Sequence, residues 1–179
     1  MNSANDILNG LDRFGISITE HGQITLISHL KGTFEILKKW NCDEEISLAG
    51  LCHSIYGTES FLKVSATLDN REYVQNLIGD RAERLAYLFG AHKKESLWEN
   101  LNRDSNFFIM DRFLDKEVTL SDKELADLIT ITLANWLEQR PRSKPEHHFI
   151  RQAEFIRSKI HLPKSAFEDF CTAYGLKDL

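Results

Sequence analysis

The sequence is short of the features that mark several large classes of protein. Its three cysteines, Cys42, Cys52 and Cys171, are odd in number and form no CxxC pair. They favour reduced thiols over a disulfide framework or a zinc knuckle. No apolar run reaches the roughly 18–20 residues that cross a bilayer. The first residues have neither a basic start nor an apolar core, so they do not resemble a signal peptide.

Positive charge is also scarce. The chain has 22 lysines and arginines against 27 acidic residues, a formal charge of −5. This balance disfavours a general nucleic-acid binder, which usually has a basic face. With 42% apolar residues in 179, the chain suits one domain with one filled core. We therefore expect a soluble cytoplasmic protein that acts on a small molecule, with no membrane and no nucleic acid as partner.

Helical periodicity fills most of the chain. Ile27, Leu30, Phe34 and Leu37 recur at steps of three and four, which predicts a buried helix face. Ser121 and Glu124 have the spacing of a capping box. The predicted helices cover about 3–14, 20–40, 43–57, 70–78, 79–91, 121–139, 146–160 and 163–174.

The predicted fold is all-α, a helical bundle with one small hairpin near 107–120. The hairpin should turn near Asp115 and Lys116. We expect one domain over residues 1–179, with a core at about 20–140 and C-terminal helices at about 146–175.

Three residues on predicted helices are candidate metal ligands. Asp127 is the only charge in LADLITITLANWL, and a buried carboxylate normally gains a partner or a proton. His29 lies at the edge of a buried stripe, and His53 follows Ala49 and Gly50 on one helix face. Each histidine alone fits a satisfied core or boundary position, and Asp127 alone could be an exposed acid on a narrow polar strip with Glu124. Together, two imidazoles and one carboxylate form a common ligand set for first-row metals.

These residues also carry a resemblance. His29, His53 twenty-four positions later and the distant helical Asp127 resemble the HD-domain superfamily of metal-dependent phosphohydrolases and related oxygenases. The phrases HLKGTFEILKKW, AGLCHSIYGTESF and ELADL resemble a branch of HD-like domains. The resemblance implies an HD-like helical bundle that binds a divalent metal ion, most simply iron or manganese, through His29, His53 and Asp127.

The sequence departs from the HD pattern at Ser54. In the family, an aspartate follows the second histidine, binds metal and helps to activate water. A serine hydroxyl is a poor ligand and a poor base at neutral pH. The resemblance therefore implies a metal site more firmly than it implies hydrolysis.

Five further residues are secondary candidates. His21 could complete the ligand set if the chain bends before His29, and the alternative is a surface position. Glu59 and Tyr56 could act in catalysis, since Glu59 could supply the carboxylate missing at position 54. Arg71 and Asn135 could bind substrate, although Arg71 could equally pair with an acid. His92, His147 and His148 lie in polar stretches and are expected at the surface.

Three functions remain open at this point. The first is a metal-dependent hydrolase, most simply of a phosphate ester. The second is a mononuclear non-haem iron oxygenase, which uses two histidines and one carboxylate. The third is a catalytically degenerate domain that holds a ligand or a partner.

Overall fold

A computed structural model describes residues 3–142, 156 and 162–176. The described helices are α1 (Ala4–Asp12), α2 (Leu26–Lys39), α3 (Glu44–Cys52), α4 (Arg71–Ile78), α5 (Asp80–Ala91), α6 (Lys94–Glu99), α7 (Asp122–Gln139) and α8 (Lys164–Tyr174). Short 3-10 turns occupy Leu68–Asn70, Asn100–Asn102 and Arg140–Arg142. The strands form two antiparallel pairs, β1 (Glu20–His21) with β2 (Ile24–Thr25) and β3 (Phe108–Asp111) with β4 (Lys116–Thr119). The all-α prediction is confirmed.

The core forms where α2, α3 and α7 pack together, with α5 against α3. Leu30 and Leu37 of α2 and Leu128 of α7 are fully buried. Gly50 permits close packing of α2 and α3, because a Cβ built there would lie 2.1 Å from Leu37 Cδ1. The expected packing of the helices around 20–40, 43–57 and 121–139 is therefore present.

The hairpin of β3 and β4 is present where the sequence predicts it. Asp111 pairs with Lys116 at its closed end, and Asp115 lies in the turn with a φ of 48°. Asn100 fastens the open end, since its side-chain amide donates to Phe108 O at 2.8 Å and accepts from Phe108 N at 3.0 Å.

The start of α2 differs from the prediction of a helix from residue 20. A small hairpin occupies Glu20–Thr25 and turns at Gly22, whose φ of 63° favours glycine. Thr25 then caps α2, because its side chain accepts a hydrogen bond from Ser28 N. The hairpin moves His21 off the helix.

Other predicted boundaries agree with the structure. Ser121 and Glu124 form the expected capping box at the start of α7. Gly79, with a φ of 89°, separates α4 from α5. The predicted helix at 146–160 lies outside the described residues except for Ile156. Among the helices described, none combines the length and the apolarity needed to cross a bilayer.

Candidate functional site

Two buried histidines meet at the centre of the bundle. His29 lies in the second turn of α2, and His53 is the residue that ends α3. Both side chains are fully buried, and their Nε2 atoms are 3.1 Å apart. The structure thus brings together the first two candidate ligands.

The outer nitrogen of each ring is held by a hydrogen-bond acceptor. His53 Nδ1 lies 2.7 Å from the carbonyl oxygen of Gly50, and His29 Nδ1 contacts the carboxylate of Glu138. A carbonyl oxygen can only accept, so His53 Nδ1 must donate its N–H. If both rings are neutral and both donate through Nδ1, each Nε2 carries a lone pair. Two lone pairs at this distance need a proton or a cation between them.

Burial keeps His53 neutral. It lowers the pKa of His53 from 6.5 to about 3, and the nearby His29 adds to the effect. A neutral imidazole is the form that binds metals. His53 is therefore ready to act as a ligand at neutral pH.

Asn135 of α7 supplies a third polar group. Its Oδ1 lies 3.2 Å from His53 Nε2 and accepts a hydrogen bond from Gln139 Nε2 at 2.8 Å. The amide oxygen therefore faces the histidine pair as a neutral oxygen donor. His53 Nε2, at the end of α3, thus faces two atoms that can accept or coordinate, His29 Nε2 from α2 and Asn135 Oδ1 from α7.

Glu138 reaches His29 across a glycine. A Cβ built on Gly32 of α2 would lie 2.7 Å from Glu138 Cγ, so the absence of a side chain there lets the glutamate cross between the helices. Histidines that bind metals usually donate their second N–H to a carboxylate or a carbonyl. Glu138 and the Gly50 carbonyl fill these two roles here.

His21 lies beside the pair rather than between its nitrogens. Its ring stacks on His29 with centroids 4.2 Å apart and an angle of 20°. The ring of Phe61 contacts His21 edge-on, with the two ring centroids 4.5 Å apart. His21 therefore extends the histidine cluster toward the loop after α3.

Asp127 does not join the histidines, and the expected three-ligand set is corrected on this point. Its carboxylate accepts from Arg81 Nη2 at 2.6 Å and lies 3.7 Å from Lys123 Nζ. Asp127 precedes Asn135 by two turns of α7, a rise of about 12 Å. The two residues therefore serve different parts of the molecule, and Asn135 is the α7 residue that meets His53.

Tyr56 and Arg71 are also committed elsewhere. The Tyr56 hydroxyl donates to Glu83 at 2.9 Å, and Arg71 binds both oxygens of Glu83 at 2.7 and 2.8 Å. Glu83 is fully buried, so this pairing compensates the desolvation of its charge. Their expected roles in catalysis and substrate binding are not supported by these contacts.

Glu59 and His92 lie away from the cluster as well. Glu59 accepts from the backbone N–H of Lys94 at 2.7 Å, at the start of α6. It does not replace the carboxylate missing at position 54. His92, expected at the surface, is 9% exposed, and burial lowers its pKa to about 4. Its strand-like bridge to Asp111 explains why a polar stretch holds a buried histidine.

The donors at the cluster include no ionised ligand. Among the described residues, no three or more histidine, cysteine, aspartate or glutamate side chains are grouped so that they could hold a metal ion. Asn135 lies outside those residue types. Any ion at the pair would therefore depend on two imidazoles and a neutral amide oxygen.

Glu138 and Gln139 are site residues that the sequence reasoning missed. They follow Asn135 at steps of three and four, so the three polar side chains share one face of α7. Three polar side chains at the end of an apolar helix could have indicated a buried polar site. Gly32, on the predicted helix at 20–40, could have indicated where a side chain from α7 crosses.

Comparisons with known proteins add one finding. A family described as Domain of unknown function (DUF6817) matches residues 10–94, just under half of the chain. The match includes His21, His29, His53 and Ser54 but ends before α7. No curated protein and no solved structure matches the chain.

Proposed function

We propose that this chain is an HD-like metal-binding domain, in which His29 and His53 hold a divalent transition-metal ion through Nε2 and Asn135 contributes an oxygen. The main support for this proposal is the 3.1 Å distance between His29 Nε2 and His53 Nε2. Two nitrogen ligands at about 2.1 Å from one ion and at right angles to each other are about 3 Å apart. The pair already has that spacing.

The contacts behind the pair support the same proposal. Both outer nitrogens donate N–H to fixed acceptors, Glu138 and the Gly50 carbonyl, so the coordinating nitrogens point at each other. Glu138 also supplies a negative charge next to His29. That charge offsets part of a dication's charge without itself binding the ion.

The donor types guide the choice of metal. Imidazole nitrogens suit iron and zinc, whereas manganese prefers carboxylates and water. Of the two metals expected from the resemblance, iron fits two imidazoles and an amide better. Such an ion would act as a Lewis acid or lower the pKa of a bound water.

The surroundings favour metal holding over hydrolysis. Hydrolysis of a phosphate ester needs a base near the metal, and the residue after His53 is Ser54, which is 3% exposed. The nearest described carboxylate, Glu138, is occupied with His29. A non-haem iron oxygenase is the second candidate, because its two histidines are present, with the Asn135 amide oxygen in place of its usual carboxylate.

The test is a metal titration of protein purified without an affinity tag or a chelator. We expect the parent to bind one Co²⁺ or Zn²⁺ ion, and His29→Gln to lose at least about tenfold in affinity, as loss of a direct ligand should. His92→Gln is the control, since His92 is a buried histidine separated from His53 by the ring of Phe89. Equal affinity in the parent and His29→Gln would refute the site, and the pair would then share a proton instead.

A further inference from the structure

A loop lies against the histidine cluster on the side of His21. After α3, residues 57–65 cross the β1–β2 hairpin, and Phe61 of this loop lies edge-on to His21. His21 in turn stacks on His29. The rings of Phe61, His21 and His29 thus form a short column that leads from the loop to the buried pair.

The loop is held at its two ends and, near its start, by Glu59, whose carboxylate accepts from the Lys94 N–H at 2.7 Å. Gly57 begins it with a φ of 72°, and the backbone N–H groups of Ser65 and Ala66 both donate to Ile55 O at 2.9 Å. Within it, Thr58 and Phe61 exchange backbone hydrogen bonds of 2.7 and 3.2 Å, which makes a compact turn. Movement of this turn about Gly57 breaks the hydrogen bond from the Lys94 N–H to Glu59.

The outer side of the loop makes few attachments of its own. Leu62 is 75% exposed and Val64 is 54% exposed. Lys63 reaches the β1–β2 hairpin, where its Nζ lies 3.3 Å from the carbonyl oxygen of Glu20 and 3.8 Å from the Glu20 carboxylate. Both side chains are largely exposed, so this ion pair holds the loop only weakly.

We propose that residues 57–65 form a gate over the histidine cluster, with Phe61 as its plug and Gly57 as its hinge. Opening lifts Phe61 from the partly buried His21 and increases the exposure of His21 and of the fully buried His29 to small solutes, while α2, α3 and α7 stay packed. This inference deepens the proposed metal site by naming its entry route, but the gate can be tested without a metal.

The test measures how fast each histidine reacts with diethylpyrocarbonate, a small reagent that acylates accessible neutral imidazoles, with mass spectrometry to resolve the sites. We compare the parent with Phe61→Ala, Phe61→Leu and Leu62→Ala. Since reactivity follows the population of the open form, Phe61→Ala should raise the rates at His21 and His29 about tenfold or more. Phe61→Leu keeps an apolar plug and should stay near the parent, as should the exposed control Leu62→Ala.

His92 serves as an internal control for unfolding, because it is buried outside the column. If Phe61→Ala accelerates His21 and His29 but not His92, the gate is supported. If it changes none of the three, or if Leu62→Ala has the same effect, the gate is refuted. If the parent binds no metal while these rates behave as expected, the proposed ligand set is refuted and the gate is still supported.

The parent alone provides a second measurement, should Phe61→Ala fail to fold. In low urea, a local opening exposes little surface and depends weakly on denaturant, whereas global unfolding depends on it steeply. We expect the rates at His21 and His29 to be nearly flat with urea while the rate at His92 rises steeply. The same steep dependence at all three histidines would overturn the gate.

Discussion

Helix α7 contributes side chains to two polar regions, which differ in charge and in exposure to solvent. Near its start, Asp127 lies in a charged region with Arg81 and Lys123, beside a cleft of about 150 Å³. Near its end, Asn135 meets the enclosed pair His29 and His53. About two turns of one helix thus separate a network of ion pairs from a buried histidine pair and the amide oxygen beside it.

The difference shows what each region can do. In the charged region each acid has a basic partner: Arg81 also contacts Asp43 at 3.2 Å and Glu45 at 2.8 Å, and Arg84 contacts Glu124 at 2.5 Å. Such a network stabilises the packing of α5 on α7. In the histidine region, His53 Nε2 faces His29 Nε2 and Asn135 Oδ1. With both rings neutral, all three are acceptors, which is an arrangement that a cation would stabilise. The second region is therefore the better candidate for binding.

The largest expected effect comes from emptying the histidine region. His53→Ala leaves a cavity and removes the partner of His29 Nε2, Asn135 Oδ1 and the Gly50 carbonyl. We expect the free energy of unfolding to fall by about 2–4 kcal/mol, since both packing and buried hydrogen bonds are lost. Urea unfolding followed by circular dichroism measures it.

Asp127→Ala is the matched change in the charged region. Arg81 keeps Asp43 and Glu45 as partners, so we expect a loss of less than about 1 kcal/mol. A loss as large as that of His53→Ala would contradict the distinction between the two regions.

A comparable effect is expected for Arg81→Ala, and it should depend on pH. Burial raises the pKa of Asp127 above 3.8, while Arg81 acts to lower it. A carboxyl whose pKa is raised on folding loses stability as the pH rises through that pKa. Without Arg81 the pKa rises further, so the variant should lose about 1 kcal/mol at neutral pH and less in acid, where Asp127 is protonated.

Asp127→Asn supplies the control for this pH dependence. In that background the Asp127 carboxyl is absent, so the loss on adding Arg81→Ala should depend less on pH, because only the contacts of Arg81 with Asp43 and Glu45 remain. Unfolding curves at about pH 4 and pH 7 measure both cases. A loss for Arg81→Ala that does not grow between them would mean that Arg81 is not the partner that matters to Asp127.

The sequence predicted the helices better than it predicted their polar partners. The capping box of Ser121 and Glu124 and the turn near Asp115 depend on local chemistry, and both are present. The hairpin at Glu20–Thr25 was missed, because its strands are only two residues long and precede a strong helical pattern.

The choice between Asp127 and Asn135 could not be made from α7 alone. They are eight residues apart, so they lie about 80° apart around the helix and about 12 Å apart along it. Which one meets His53 depends on where α2 and α3 cross α7, and Asp127 is engaged by Arg81 from α5, a helix distant in sequence. Asp127 was expected at the site because it is the only charge in the apolar stretch of α7. The buried histidine pair instead contacts the uncharged Asn135.

The most direct measurement is a Co²⁺ titration of Asn135→Asp and Asp127→Asn beside the parent, followed by calorimetry and by the visible absorption of bound cobalt. The account predicts that Asn135→Asp binds at least about tenfold more tightly, because it places a carboxylate at the histidine pair. Asp127→Asn should bind as the parent does. Loss of binding in Asp127→Asn with no change in Asn135→Asp would contradict the account and return the site to Asp127.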